Sequence, residues 1–161
     1  MPDVRLESMT EDQYGPWRAQ AEAHYAQSVA ESGRSARDAA RNAADTYARL
    51  LPDESATAGH HFWYAYDGDR RVGFLWVEVT DDAAFVYNVA VEPGVRRGGY
   101  GRAIMLAAER WCRDHALTRI GLHVFAHNTG ARALYEQLGF VASHEGMKLA
   151  LPERQGSEPR R

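Results

Sequence analysis

The hydrophobic pattern changes period several times along the chain, and each change marks an element. Val4-Arg5-Leu6-Glu7 alternates and predicts a first strand. Thr10-Glu11-Asp12-Gln13 has the form of a capping box and predicts a helix running to about residue 30, with Gly33 as its breaker. Ser35 can cap a second helix, in which Ala36, Ala39, Ala40, Ala43, Tyr47 and Leu50 share one apolar face that ends before Pro52. Residues 53–60 read as loop. Residues 61–66, the turn Asp67-Gly68-Asp69 and residues 72–79 predict a hairpin. Asp81-Asp82 turns the chain into a strand over 85–91, where Phe85, Tyr87, Val89 and Val91 form an alternating apolar run. The period then becomes helical, with Ala103, Ile104, Leu106, Ala107, Arg110 and Trp111 at helical spacing. Residues 120–125 alternate again, and residues 128–139 read as a short helix with Asn128 as N-cap and Gly139 at its left-handed stop. Residues 141–143 and 147–151 predict two last short strands. The expected order is β-α-α-β-β-β-α-β-α-β-β.

Between the strand at 85–91 and the helix that follows lies Pro93-Gly94-Val95-Arg96-Arg97-Gly98-Gly99-Tyr100-Gly101-Arg102. Strand, glycine-rich turn and helix together aim backbone N–H groups at an anion. The first helical N–H groups have no internal partner, and the helix dipole adds partial positive charge where they point. Gly98, Gly99 and Gly101 allow close approach of the main chain, and Arg96, Arg97 and Arg102 add full charges beside it. Two familiar phosphate loops do not fit. A P-loop needs Lys and a hydroxyl after its second glycine, where this chain has Tyr100; a dinucleotide fingerprint needs a third glycine, where it has Ile104.

What remains is Arg96-x-x-Gly99-x-Gly101 after a Val-x-Val-x-Pro strand end. This resembles the acetyl-CoA pyrophosphate loop of the GNAT N-acetyltransferase superfamily, whose pattern is Gln/Arg-x-x-Gly-x-Gly/Ala. A second segment follows one strand-helix-strand unit later. Asn128-Thr129-Gly130-Ala131-Arg132-Ala133-Leu134-Tyr135-Glu136-Gln137-Leu138-Gly139-Phe140 resembles the closing motif Asn-x-x-Ala-x-x-Leu-Tyr-x-x-x-Gly-Phe and matches it at every fixed position. The stretch from the first motif to the end of the second, residues 89–140, spans roughly a third of the chain. The chain looks like a small bacterial member of unassigned substrate.

The resemblance implies an α/β (α+β) fold with a mixed, twisted sheet flanked by helices. Length and composition predict one domain over 1–151 with a flexible tail over 152–161, where Arg154–Arg161 is basic and contains Gly156, Ser157 and Pro159. The resemblance also implies that strands 85–91 and 120–125 splay apart to leave a wedge for a pantetheine arm. Acetyl-CoA is the implied donor, held by Val89, Ala90 and Val91 on the strand, by Arg96, Arg97, Gly98, Gly99, Tyr100, Gly101 and Arg102 in the loop, and by Asn128, Ala131 and Tyr135 in the closing motif. A backbone N–H near Val89 and Val91 would polarise the thioester carbonyl, worth about 3 kcal/mol in a dry, preorganised site.

Composition narrows the remaining choices. At 161 residues the chain suits a single core, and 45% hydrophobic residues is ordinary. No apolar run approaches the roughly 18 residues that a membrane span needs, and Met1-Pro2-Asp3-Val4-Arg5 does not read as a signal peptide. One cysteine, Cys112, excludes an internal disulfide and a thiolate zinc cluster, so a cytoplasmic protein is expected. The net charge of −3 provides no global basic field for nucleic acid. His60 and His61, adjacent in a strand, point to opposite faces, and His123 and His127 belong to no HExxH helix, so no metal is expected. The expected partner is a small-molecule amine, with neither nucleic acid nor membrane; a homodimer is allowed but not specified.

The chemistry needs an acid and a base. Tyr135 falls on the family's tyrosine position, and a phenol of pKa ~10 can protonate a leaving thiolate whose own acid lies near ~8.5. A lysine-like amine, pKa ~10.4, must lose a proton before it attacks. Many GNAT enzymes place Glu or Asp on the strand before the loop, but this chain has Tyr87 and Asn88 there. Glu78, on the neighbouring hairpin strand, ranks slightly ahead of His123 as the base; the competing readings are an outward strand carboxylate and a half-buried, hydrogen-bonded histidine. Trp63, Tyr64, Trp76, His24 and Tyr25 line an acceptor pocket or pack the core. The expected function is transfer of acetyl to a primary amine by direct attack in a ternary complex. Its rivals are a catalytically idle acyl-CoA-binding module and a protein-amine acetyltransferase.

Overall fold

A computed structural model describes residues 2–144 with Gly146, Met147, Leu149 and Leu151. Strands β1 (Arg5–Ser8), β2 (His60–Asp67), β3 (Arg70–Thr80), β4 (Ala83–Val91) and β5 (Arg119–Leu122) form one sheet in sequence order. The first four pair antiparallel, whereas β4 and β5 run parallel. Parallel neighbours need a crossover, and helix α3 (Tyr100–Asp114) supplies it. Helices α1 (Glu11–Glu31) and α2 (Ala36–Leu50) precede β2, and α4 (Thr129–Gln137) follows β5. No helix among the described residues is long and apolar enough to cross a membrane.

The helix boundaries have local causes. The Thr10 N–H donates to the Gln13 side chain at 2.9 Å, the return bond of the expected capping box. The Ser35 hydroxyl accepts from the Asp38 N–H at 3.2 Å, and Asn128 caps α4 in the same way through the Ala131 N–H at 3.2 Å. Gly139 follows α4 with φ of 96°, the left-handed geometry that ends helices.

Each face of the sheet buries a separate core. On one face, Leu75, Val77, Ala84 and Val86 pack against Ala103, Ile104, Ala107 and the thiol-bearing Cys112 of α3. On the other, Phe62, Tyr64 and Trp76 pack against Tyr14, Trp17 and Ala21 of α1 and Tyr47 of α2. Alternation along β3 therefore sends Leu75 and Val77 to one side and Trp76 and Glu78 to the other.

Strand β4 breaks that alternation. Trp76 pairs with Asn88 but Val77 pairs with Val86, so Tyr87 is an extra residue with no opposite number. Ala84 and Val86 face α3 before this bulge, and Val89 and Val91 face it afterwards. The apparently continuous run Phe85, Tyr87, Val89, Val91 thus divides between two faces. A strict period of two does not survive an inserted residue.

The two strands expected near the C-terminus do not form among the described residues. Residues 141–144 have no strand partner, and Val141 is 86% exposed. Met147, Leu149 and Leu151 are likewise exposed and outside any strand. Alternation over so few residues makes a strand only where an edge receives it. The expected tail, 152–161, lies outside the described residues.

Candidate active site

The wedge arises where β5 stops. It pairs with β4 only through Ala83–Val86 against Arg119–Leu122, while β4 continues to Val91. Beyond Val86 the edge of β4 toward β5 is open. Amide groups of successive strand residues point to opposite edges. The Glu92 N–H donates across to the Val72 carbonyl at 2.8 Å, so Val91 and Val89 present their backbone groups to the open side.

At the end of this edge the chain passes through a short 3-10 turn, Pro93–Val95, into the glycine loop. Arg97 and Gly99 both have left-handed geometry, with φ of 66° and 79°. Among the described residues, no backbone N–H from Arg96 through Arg102 donates to a protein acceptor. Nor does Arg96, Arg97 or Arg102 join an ion pair there. These groups remain available for an external anion.

The loop is held from both sides. The Tyr100 hydroxyl donates to Asp67 at 2.6 Å, which raises the phenol pKa and pins the first residue of α3 to the β2–β3 turn. What Tyr100 offers an anion is therefore its N–H. A side chain at Gly98 would press the Tyr100 ring at 3.1 Å. A Cβ at Gly101 would lie 3.3 Å from Leu134 of α4 and 3.7 Å from Val91, so that glycine lets α4 close onto the start of α3.

Tyr135 follows Leu134 and packs with the α3-side core, its ring 5.7 Å from Phe140. Burial raises its pKa, so the phenol stays protonated at neutral pH. Its hydroxyl makes no hydrogen bond among the described residues. Asn128 caps α4, and its side chain occupies the Ala131 N–H.

Glu78 lies on the opposite face of the sheet, half-buried rather than free in solvent. The Tyr87 hydroxyl donates to its Oε2 at 2.8 Å. Burial first, then the carboxylate, pushes the Tyr87 pKa up to about 12. Hence Tyr87, at the strand position where a carboxylate was expected, orients one from the neighbouring strand. His60 completes this cluster, accepting from the Trp76 indole at 2.9 Å and facing Glu78 at 3.7 Å. His123 sits just past the end of β5, exposed, with its ring 5.1 Å from Phe85 and no hydrogen bond among the described residues. It is not the half-buried, bonded histidine of the ordinary reading.

The suggested acceptor-pocket residues separate. Trp76 is 1% exposed and belongs to the core, as does Tyr64 beneath Arg71. Trp63 is on the α3 face against Trp111. Tyr25 stays half-buried between Tyr47 and Phe125, and His24 is exposed.

Residues 11–140 match the model of the acetyltransferase (GNAT) family. The chain belongs to the GNAT family. It is 30% identical to YycN of Bacillus subtilis, an uncharacterized N-acetyltransferase, over 85% of this chain and 92% of that one. The crystal structure of YycN superposes with a TM-score of 0.88 at 29% identity, covering 93% of this chain and 99% of YycN. The mycothiol acetyltransferase of Streptomyces scabiei is 37% identical over 50% of this chain and 27% of its own length. The PaiA N-acetyltransferase of Thermoplasma acidophilum, solved in complex with coenzyme A, shares the fold at 13% identity, with a TM-score of 0.68 over 89% of this chain and 93% of that one. This GNAT protein is accordingly an acetyl-transferring enzyme.

Proposed function

We propose that this enzyme transfers acetyl from acetyl-CoA to a primary amine of a small molecule, by direct attack in a ternary complex. The run of unpaired backbone N–H groups over Arg96–Arg102, beside the open edge of β4, carries this reading. A diphosphate suits such a run because it accepts several N–H bonds at once and is favoured by the dipole of α3. The amide-bearing pantetheine arm suits the backbone of Val89 and Val91, which it can meet as an added strand does. The small-molecule acceptor draws support from the mycothiol acetyltransferases, whose name carries the acceptor class and whose matched segment is half of this chain.

In the proposed step Glu78 accepts a proton from the ammonium group, leaving a neutral amine. The amine nitrogen attacks the thioester carbon, and an N–H of the β4 edge stabilises the oxyanion. The carbon–sulfur bond then breaks, and Tyr135 gives its proton to the departing thiolate. The nitrogen, which still carries two hydrogens after the attack, sheds one to solvent as the bond breaks, Glu78 gives up its proton and Tyr135 regains one, so the products are an N-acetyl amine and free coenzyme A.

Steady-state thiol release with acetyl-CoA and a panel of small amines tests the activity. Turnover well above solvent hydrolysis is expected for at least one amine. Tight coenzyme A binding without turnover would instead identify an idle acyl-CoA module. Calorimetry tests the cradle. Gly99→Val puts a β-branched residue at φ of 79° and should weaken coenzyme A binding at least tenfold. Wild-type affinity in that variant would falsify the loop assignment.

A further inference from the structure

We infer that His60 is a positioning residue for Glu78, held in its Nε2–H tautomer by the indole of Trp76. The inference rests on the reading of Glu78 as the base. Strand register creates the contact, because His60 of β2 pairs directly with Glu78 of β3. The Trp76 Nε1–H can only donate, and it donates to His60 Nδ1 at 2.9 Å. A neutral imidazole that accepts at Nδ1 carries its proton on Nε2. That N–H faces Glu78 Oε1 at 3.7 Å, an electrostatic contact, while Oε2 receives the Tyr87 hydroxyl at 2.8 Å. One carboxylate oxygen therefore has a hydrogen-bond donor, and the other faces an N–H dipole beyond hydrogen-bond distance.

The ring has little freedom to turn. It stacks between Phe62, at 6.3 Å and 16°, and Tyr87, at 5.8 Å and 20°. The His60 side chain is 3% exposed, against 31% for Glu78, so the carboxylate opens outward while its support is buried. Burial lowers the His60 pKa, and the Glu78 charge only partly opposes this. The other titratable groups near the cluster are Tyr87 of β4, Arg49 of α2 acting on Tyr87, Tyr14 of α1 against Phe62, and His123 behind Phe85. His61 points to the other face, against Trp63.

This arrangement excludes a proton relay through the ring. Nε2 already carries a proton, and Nδ1 is occupied as an acceptor. Passing on a proton taken by Glu78 would require giving up the Trp76 bond. The contribution of His60 is to hold the carboxylate against a fixed N–H dipole.

The pH profile of kcat/KM for the best amine tests this, with Glu78→Gln identifying the limb that belongs to the base. His60→Phe keeps a ring in the stack but removes both nitrogens. Its acidic limb should move up, because the dipole facing the carboxylate is gone, with coenzyme A affinity unchanged. His60→Gln, which restores an N–H at similar reach, should bring the limb most of the way back. Trp76→Phe, which releases the tautomer, should move it in the same direction as His60→Phe. Nitrogen-15 spectra of the unmodified enzyme give a readout that needs no variant to fold: His60 should show a protonated Nε2 and an unprotonated Nδ1 at neutral pH.

A loss that is uniform with pH in His60→Phe, with the limb fixed, would overturn the positioning role and leave Glu78 as the base. So would a protonated Nδ1. If Glu78→Gln keeps both the limb and the rate, the base assignment itself fails, and the role of His60 with it.

Discussion

Tyr135 shows how burial and chemistry are joined in one side chain. The phenol is packed into the α3-side core, its pKa is raised, and its hydroxyl is unpaired among the described residues. The half-buried hydroxyl is thus left free to donate to a bound ligand atom. A leaving thiolate is such an atom. Tyr135→Phe keeps the packing and deletes only the proton donor. It should lower kcat about 10²-fold while leaving coenzyme A affinity within about twofold. Steady-state thiol release checks the first effect and calorimetry the second; unchanged turnover across several amines removes Tyr135 as the acid.

At the scale of the element, β4 does two jobs at once. Its first half is an ordinary sheet strand, paired on both edges, and its second half has one free edge for a ligand. The bulge at Tyr87 lies at the change and lets both Tyr87 and Val89 face the cores they need. Gly73 of β3 supports the second half. A Cβ there would lie 2.2 Å from the Ala90 carbonyl oxygen and 2.7 Å from Ile104, closer than real contacts allow. Gly73→Ala must therefore push β4 or α3 away, at a cost of about 1–3 kcal/mol. Urea unfolding should show that loss. Coenzyme A binding should also weaken, because Ala90 lies between the two residues that face the wedge. Full stability in the variant would mean that the strand yields freely.

Across the whole molecule, acid should act through the histidines of β2. Burial lowers the pKa of both His60 and His61, most directly by removing the charged ring from water. The unfolded chain binds these protons near pH ~6.5, whereas the folded protein binds them only at lower pH. Between those values the unfolded state holds more protons, so stability falls as pH falls. The melting temperature should thus drop on acidification below about pH 6.5, and His61→Phe should flatten the slope. An unchanged slope would place the acid sensitivity elsewhere. The legibility of this protein divides along the same line of local against long-range causes. The helix caps at Ser35 and Asn128, the stop at Gly139, the glycine loop and its following helix were all written in short runs of residues, because backbone N–H groups, positive φ and 3.6-residue periodicity are local properties. The family followed from two such runs. The Glu78 cluster was not legible, because it depends on register. Counting back from Asp67 opposite Arg70 places His60 opposite Val77, on the wrong face; the pairing slips by one at Val72, and only then does His60 meet Glu78. The same kind of slip at Tyr87 redistributed an alternating run between two faces. Bulges are set by how both cores fill, so sequence determined the caps, the glycine loop and the elements from β1 to α4, and tertiary packing alone decided which side chains meet across the sheet.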